Sequence, residues 1–137
     1  MKRHVASLVS AVAALGACSE ANGPPPPPPP ARPATQLEIS AWPAGRSGEE
    51  REWTLRCSPT GGTHPDPAEA CRRLATLDRP FFRPDGVACT EIYGGPAVAE
   101  VRGEHGGRTV EFTFSRSDGC EIALWDRHGF LFPVLPP

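Results

Sequence analysis

The sequence predicts a small α+β domain, an antiparallel sheet with helix packed on one face, carried behind an export signal. Three observations predict it. Short stretches alternate apolar and polar residues, the period of half-buried strands. One stretch, opening at Asp66-Pro67, combines helical spacing with a start signal. Four cysteines (Cys57, Cys71, Cys89 and Cys120) are spread through the same region without C-x-x-C spacing. In an exported chain that pattern reads as two disulfides rather than a metal site.

Composition bounds the problem. The chain has 137 residues, room for one domain once its ends are set aside. Hydrophobic residues make up 39% and aromatics 7%, a modest supply for a core, so a domain of this size calls for covalent support. The 14 basic and 16 acidic residues are interleaved and leave a net charge of −2. No electrostatic footprint for nucleic acid or an anionic membrane surface is present in that pattern.

Residues 1–18 read as an address. Lys2 and Arg3 precede an apolar run from Val5 to Ala17 that is too short to span a bilayer and fits a signal-peptide core. Leu15-Gly16-Ala17-Cys18 resembles a bacterial lipobox, in which Cys18 is lipidated and becomes the mature N-terminus. The other reading is cleavage after Ala21, which discards Cys18. Both readings export the protein and remove Cys18 from the disulfide count. Both place it outside the cytoplasm of a bacterium, and the lipobox reading predicts an extracellular or cell-surface lipoprotein that touches the membrane only through its N-terminal lipid anchor.

Residues 19–35 form a linker. Pro24 to Pro30 are consecutive prolines, which lack amide donors and fix φ, so they predict a polyproline II rod rising ~3 Å per residue. Such a rod can also serve as a ligand for an aromatic groove; behind an anchor it serves as a spacer.

The folded domain is expected over residues 36–135. Leu37, Ile39 and Ala41 alternate with Glu38 and Ser40 as a first strand, and Pro43 to Glu50 reads as a loop. Trp53, Leu55 and Cys57 share one face of a second strand. Asp66-Pro67-Ala68-Glu69 supplies an N-cap, a proline at the first helical position and an acid in the first turn. With Ala70, Cys71, Leu74 and Leu77 at helical spacing, a helix should run from Pro67 to Leu77. Arg79 to Val87, carrying Phe81 and Phe82, is broken by proline and glycine. Val98 to Val101 and Thr109 to Phe114 read as strands around a Gly103–Gly107 hairpin loop, with Val110, Phe112 and Phe114 on one side. Cys120 to Trp125 reads as a last strand.

Catalytic patterns are scarce. There is no G-x-S-x-G elbow and no phosphate-cradling glycine loop. Of the histidines, His4 lies in the signal peptide, and His64, His105 and His128 fall in expected loops or turns. No fixed spacing recommends a triad built on His64. No enzyme, cofactor or metal is indicated. Four cysteines allow three pairings, and spacing does not choose among them.

One set of motifs is specific. Cys57-Ser58-Pro59-Thr60-Gly61-Gly62-Thr63-His64-Pro65, followed by Ala70-Cys71 and Leu74, resembles the first signature of the Streptomyces subtilisin inhibitor family. Cys89-Thr90-Glu91-Ile92-Tyr93 resembles the family's reactive-site segment, and Gly119-Cys120-Glu121 its C-terminal cysteine motif. The resemblance covers roughly Leu37 to Phe132. It implies a five-stranded antiparallel sheet with two helices on one face, the second of them short and lying between Arg79 and Val87 or near Phe81. It implies disulfides Cys57–Cys71 and Cys89–Cys120, homodimers through the sheet, and substrate-like inhibition of secreted serine proteases, subtilisin-like and in some cases trypsin-like.

Position by position, the resemblance places Glu91 at P1 and Ile92 at P1′, so that Glu91–Ile92 is the inhibitory bond. Ala88, Cys89 and Thr90 precede it and Tyr93 follows. A disulfide at Cys89 would lower the entropy lost on binding, and the β-branched Thr90 and Ile92 favour an extended shape. Glu91 departs from the Met, Lys or Arg of strong subtilisin inhibitors, since a carboxylate is costly to desolvate in an apolar pocket. It implies a glutamate-preferring target, or else a surface binding or structural module with weak inhibition on the same fold. Gly94-Gly95-Pro96 also departs from the acidic-proline sequence common in the family.

Overall fold

The computed structural model describes residues 23–28 and 34–133. The expected signal peptide, Cys18 and part of the linker lie outside the described residues. Residues 23–28 are exposed. Among the described residues no helix is long and apolar enough to cross a membrane.

Five antiparallel strands form one sheet: β1 (Thr35–Trp42), β2 (Arg51–Cys57), β3 (Gly61–Gly62), β4 (Val98–His105) and β5 (Arg108–Phe114), in the order β3-β2-β1-β4-β5. The alternation expected in β1 holds, with Leu37, Ile39 and Ala41 buried. Register then aligns apolar residues across the sheet. Leu55 faces Leu37, and the row Trp53, Ile39, Val101, Phe112 runs through four strands. Because side chains alternate, one face is oily and the other carries Glu38, Glu52, Thr54, Glu100, Arg102 and Glu111. Gly103 sits at φ +135, where a Cβ would run into the Gln36 carbonyl, so this crossing of β1 and β4 requires glycine.

Helix α1 (Pro67–Thr76) follows its sequence signals closely. The Asp66 carboxylate accepts from the Glu69 amide at 3.0 Å, Pro67 sits in the first turn, and Ala70 and Leu74 are buried against the sheet. Cys57 and Cys71 form a disulfide that joins β2 to α1.

Three expectations are corrected. Cys120 to Trp125 is not a strand but lies within helix α2 (Gly119–His128). The Asp118 carboxylate accepts from the amides of Cys120 at 2.9 Å and Glu121 at 3.0 Å, which starts the helix, and Leu124, Trp125 and His128 turn inward at helical spacing. The second helix is therefore α2, and none forms between Arg79 and Val87. There Pro80 and Pro84 lack amide donors, and Arg79 and Phe81 adopt φ values of 46° and 62°. Finally, the hairpin strands run on past Gly103 to a tight Gly106-Gly107 turn, both at positive φ, as a type I′ connection needs. That places His105 in β4, while His128 ends α2; neither is in a loop.

A short 3-10 helix (Gly129–Leu131) and Phe132 close the core over Trp125 and Phe114. His64, the histidine of the first signature, is buried beside it. Its Nε2 donates to the Phe130 carbonyl at 3.0 Å, and its Nδ1 accepts from the Asp66 amide at 3.1 Å. Both ring nitrogens are engaged in holding the chain together, which leaves no role in a triad.

Candidate functional site

The start of α2 is a platform for the segment that precedes β4. Asp118 uses its side chain to satisfy the first free amides of the helix, which fixes the position of Gly119 and Cys120. Cys120 then binds Cys89 as a disulfide, and the Gly119 amide donates to the Thr90 carbonyl at 2.9 Å. Beyond the exposed stretch, the Gly94 amide donates to the Arg116 carbonyl at 2.8 Å. Residues 116–120 thus hold the segment on both sides of Glu91, Ile92 and Tyr93.

Those three side chains point away from the body. Ile92 is 60% exposed and Tyr93 68%, values unusual for large apolar groups. Ala88, Cys89, Thr90 and Glu91 are exposed as well. Glu91 forms no hydrogen bond or ion pair with any described residue. The large hydrophobic side chains exposed among the described residues are Phe82, Val87, Ile92 and Tyr93, all within this one stretch.

Close packing fixes the geometry. A Cβ on Gly119 would run into Thr90 Oγ1, and one on Gly94 would come within 2.9 Å of Ile122 Cδ1 and 3.1 Å of Arg116 Cβ. Farther back, Arg83 grips Glu121 with both ends of its guanidinium, at 2.6 and 2.9 Å, and donates to the Thr113 carbonyl at 3.0 Å. The bond to Glu121 raises the Arg83 pKa above its ordinary value.

The structure therefore brings together all the residues expected at the site, from Ala88 to Tyr93, with Cys120 behind them. The sequence reading missed their supports: Gly119, Gly94, the Arg116 carbonyl and the Arg83–Glu121 pair. The usable signal was Asp118 followed three residues later by Glu121, the mark of a capped helix start. Cys89, Asp118 and Cys120 have ligand-type atoms within 4.8 Å of one another, but both sulfurs are spent in the disulfide and cannot act as thiolate ligands.

A stapled body holding one short segment rigid and outermost defines a loop-presenting binding scaffold. Comparison with known proteins narrows the class. The family model for subtilisin inhibitor-like proteins matches residues 33–117. Subtilisin inhibitor-like protein 1 of Streptomyces cacaoi is 36% identical over 80 residues, covering 53% of this chain and 71% of that protein. The subtilisin inhibitor of Streptomyces violaceus is 31% identical over 123 residues, covering 85% of this chain and 84% of that protein. Among solved structures, Streptomyces caespitosus sermetstatin in complex with Bacillus licheniformis subtilisin is similar at 24% identity and a TM-score of 0.45, over 70% of this chain and 96% of that one. The chain belongs to the subtilisin inhibitor-like family.

Proposed function

We propose that this protein inhibits a secreted serine endopeptidase by offering the Glu91–Ile92 bond as a substrate that is held too firmly to leave. The observation that carries the reading is the double tether around that bond. On the acyl side, Cys89 is covalently fixed and the Thr90 carbonyl is hydrogen-bonded to Gly119. On the amine side, Gly94 is hydrogen-bonded to Arg116 only two residues beyond Ile92. If a protease serine attacks the Glu91 carbonyl, the released Ile92 amine stays beside the acyl-enzyme, so the bond re-forms faster than water enters. A pre-ordered segment also gives up little conformational entropy on binding. Family membership supports inhibition rather than catalysis as the role.

Glu91 sets the target. It meets no cation among the described residues, so a pocket that accepts it must supply one; an apolar pocket would leave a charge desolvated and unpaired. This favours a glutamate-preferring protease over subtilisin-like and trypsin-like ones. The test is an inhibition panel of subtilisin, trypsin and a glutamyl endopeptidase, with mass spectrometry to locate the cleaved bond. Glu91→Lys should shift preference toward trypsin and Glu91→Leu toward subtilisin, each by roughly a hundredfold. Equal inhibition constants for all three forms across the panel would remove Glu91–Ile92 as the reactive bond.

The same reading places the inhibitor at the cell surface, through lipidation of Cys18 and the spacer of residues 19–35. Support for it is the lipobox-like Leu15-Gly16-Ala17-Cys18. Fatty-acid labelling lost in Cys18→Ala is its check. A homodimer through the polar face of the sheet draws support from the charges of both signs there, with Arg102 lying 2.9 Å from Glu100 and 4.0 Å from Glu111. Sedimentation at several salt concentrations decides it.

A further inference from the structure

We infer that Phe82, with Arg79 stacked on it, is a second contact for the same protease, outside the reactive segment. The inference rests on the inhibitory reading of the Glu91 loop. Phe82 is 42% exposed, yet little freedom is left to it. On one side Phe81 is sunk among rings, with centroids 5.8 Å from His128, 5.9 Å from His105 and 6.2 Å from Phe112. On the other side Arg83 is tied to Glu121 and to the Thr113 carbonyl. With both neighbours fixed, the backbone at residue 82 is fixed too, and its ring must face outward.

Two non-glycine residues, Arg79 and Phe81, hold left-handed backbone conformations in this turn, which the surrounding packing imposes. The Arg79 guanidinium lies 4.1 Å above the Phe82 ring and forms no ion pair with a described carboxylate. A groove of about 560 Å³ runs from Arg79, Phe82 and Arg83 to Cys89, Cys120 and Arg127. Cys89 lies on the N-terminal side of the Glu91–Ile92 bond, so the groove is continuous with the surface that a docked protease covers there.

Ordered aromatic and arginine side chains on such a surface are the residue types that carry interface energy. The complementary surface is the enzyme's rim beside the part of its cleft that holds residues before the scissile bond. That rim would carry an apolar patch for Phe82 and a carboxylate for Arg79.

Inhibition constants and dissociation rates of the wild type, Phe82→Ala and Arg79→Glu test this, against whichever enzyme of the panel the wild type inhibits most tightly. Both side chains are exposed, and melting curves confirm that the variants fold. Phe82→Ala should raise the inhibition constant about tenfold, mainly through faster dissociation. Arg79→Glu should do so with a loss that shrinks as salt rises. In both, the cleaved bond and the slow rate of hydrolysis should stay as in the wild type. Constants within twofold of wild type for both variants, on an enzyme that does discriminate the Glu91 variants, would overturn the second contact and leave the reactive loop standing. A wild type that inhibits no enzyme of the panel would overturn both.

Discussion

The two disulfides of this molecule have nearly opposite surroundings. Cys57–Cys71 joins a strand to a helix, and both cysteines pack against the core beside Leu55, Ala70 and Leu74. Cys89–Cys120 joins the first turn of α2 to a stretch that is exposed from Phe82 through Tyr93 and has no strand or helix of its own. The first crosslink repeats what apolar burial already does. The second stands in for burial where there is none. Both crosslinks support stability, but only the second also holds the exposed segment of the candidate site in place.

Removing the pairs one at a time should produce the largest effects and separate those roles. The crosslinks span 14 and 31 residues, worth about 3 and nearly 4 kcal/mol on a chain-entropy estimate. Cys57→Ala with Cys71→Ala should lower the unfolding free energy by about 3 kcal/mol and leave inhibition intact at temperatures where the protein is folded. Cys89→Ala with Cys120→Ala should convert the inhibitor into a substrate, with hydrolysis at Glu91–Ile92 faster by on the order of a hundredfold as the amine drifts from the acyl group. Denaturant titration reads the first result and a mass-spectrometric time course the second. Two double variants that inhibit equally well would erase the distinction.

A pair of glycines sharpens the same contrast on a smaller scale. Gly103→Ala strikes the sheet, where φ is +135 and the Gln36 carbonyl blocks a Cβ, and should cost about 1–3 kcal/mol of stability with little change in inhibition of the folded fraction. Gly119→Ala strikes the loop support at Thr90. It should shift the melting point less and raise the inhibition constant more. Pairing it with Thr90→Ala removes the blocking Oγ1 and should recover part of the loss. A double variant no better than Gly119→Ala alone would mean that the Thr90 contact does not position the loop.

What could be read in advance divides along the same line. β1 and α1 were legible because their signals are local: Leu37, Ile39 and Ala41 alternate, and Asp66-Pro67 marks a helix start. The exposed segment, as a candidate site, was singled out through its resemblance to a family motif. α2 was not, because Cys120 to Trp125 is a short apolar run that fits a strand as well as a buried helix face. Its decisive feature, the Asp118 cap, precedes the run. The supports of the loop were illegible for another reason. The Gly119 amide and the Arg116 carbonyl are backbone groups, and nothing in a residue's identity says which distant backbone it will meet.

The smallest predicted effect compares two buried histidines. His64 has partners for both ring nitrogens. His128 donates from Nδ1 to the Leu124 carbonyl at 2.8 Å, but its Nε2 is buried without a partner among the described residues, against the rings of Phe81 and Phe114. Burial pushes the His128 pKa below its ordinary value; the Leu124 bond works against that shift, and neighbouring Arg127 adds to it. Burial lowers His105 as well. Above the ordinary histidine value of about 6.5 both states are neutral and the folded state loses nothing. As pH falls below it, the unfolded chain takes up protons that the folded one resists, so stability drops until the lowered folded pKa is reached. For His128 the slope cannot exceed about 1.4 kcal/mol per pH unit. Denaturant titrations between pH 7 and pH 5, above most carboxylate titration, should show this decline in the wild type. A shallower one is expected in His128→Gln, with His105 supplying the remainder. Parallel declines would mean that the unpartnered ring of His128 titrates as freely in the folded protein as in the unfolded chain.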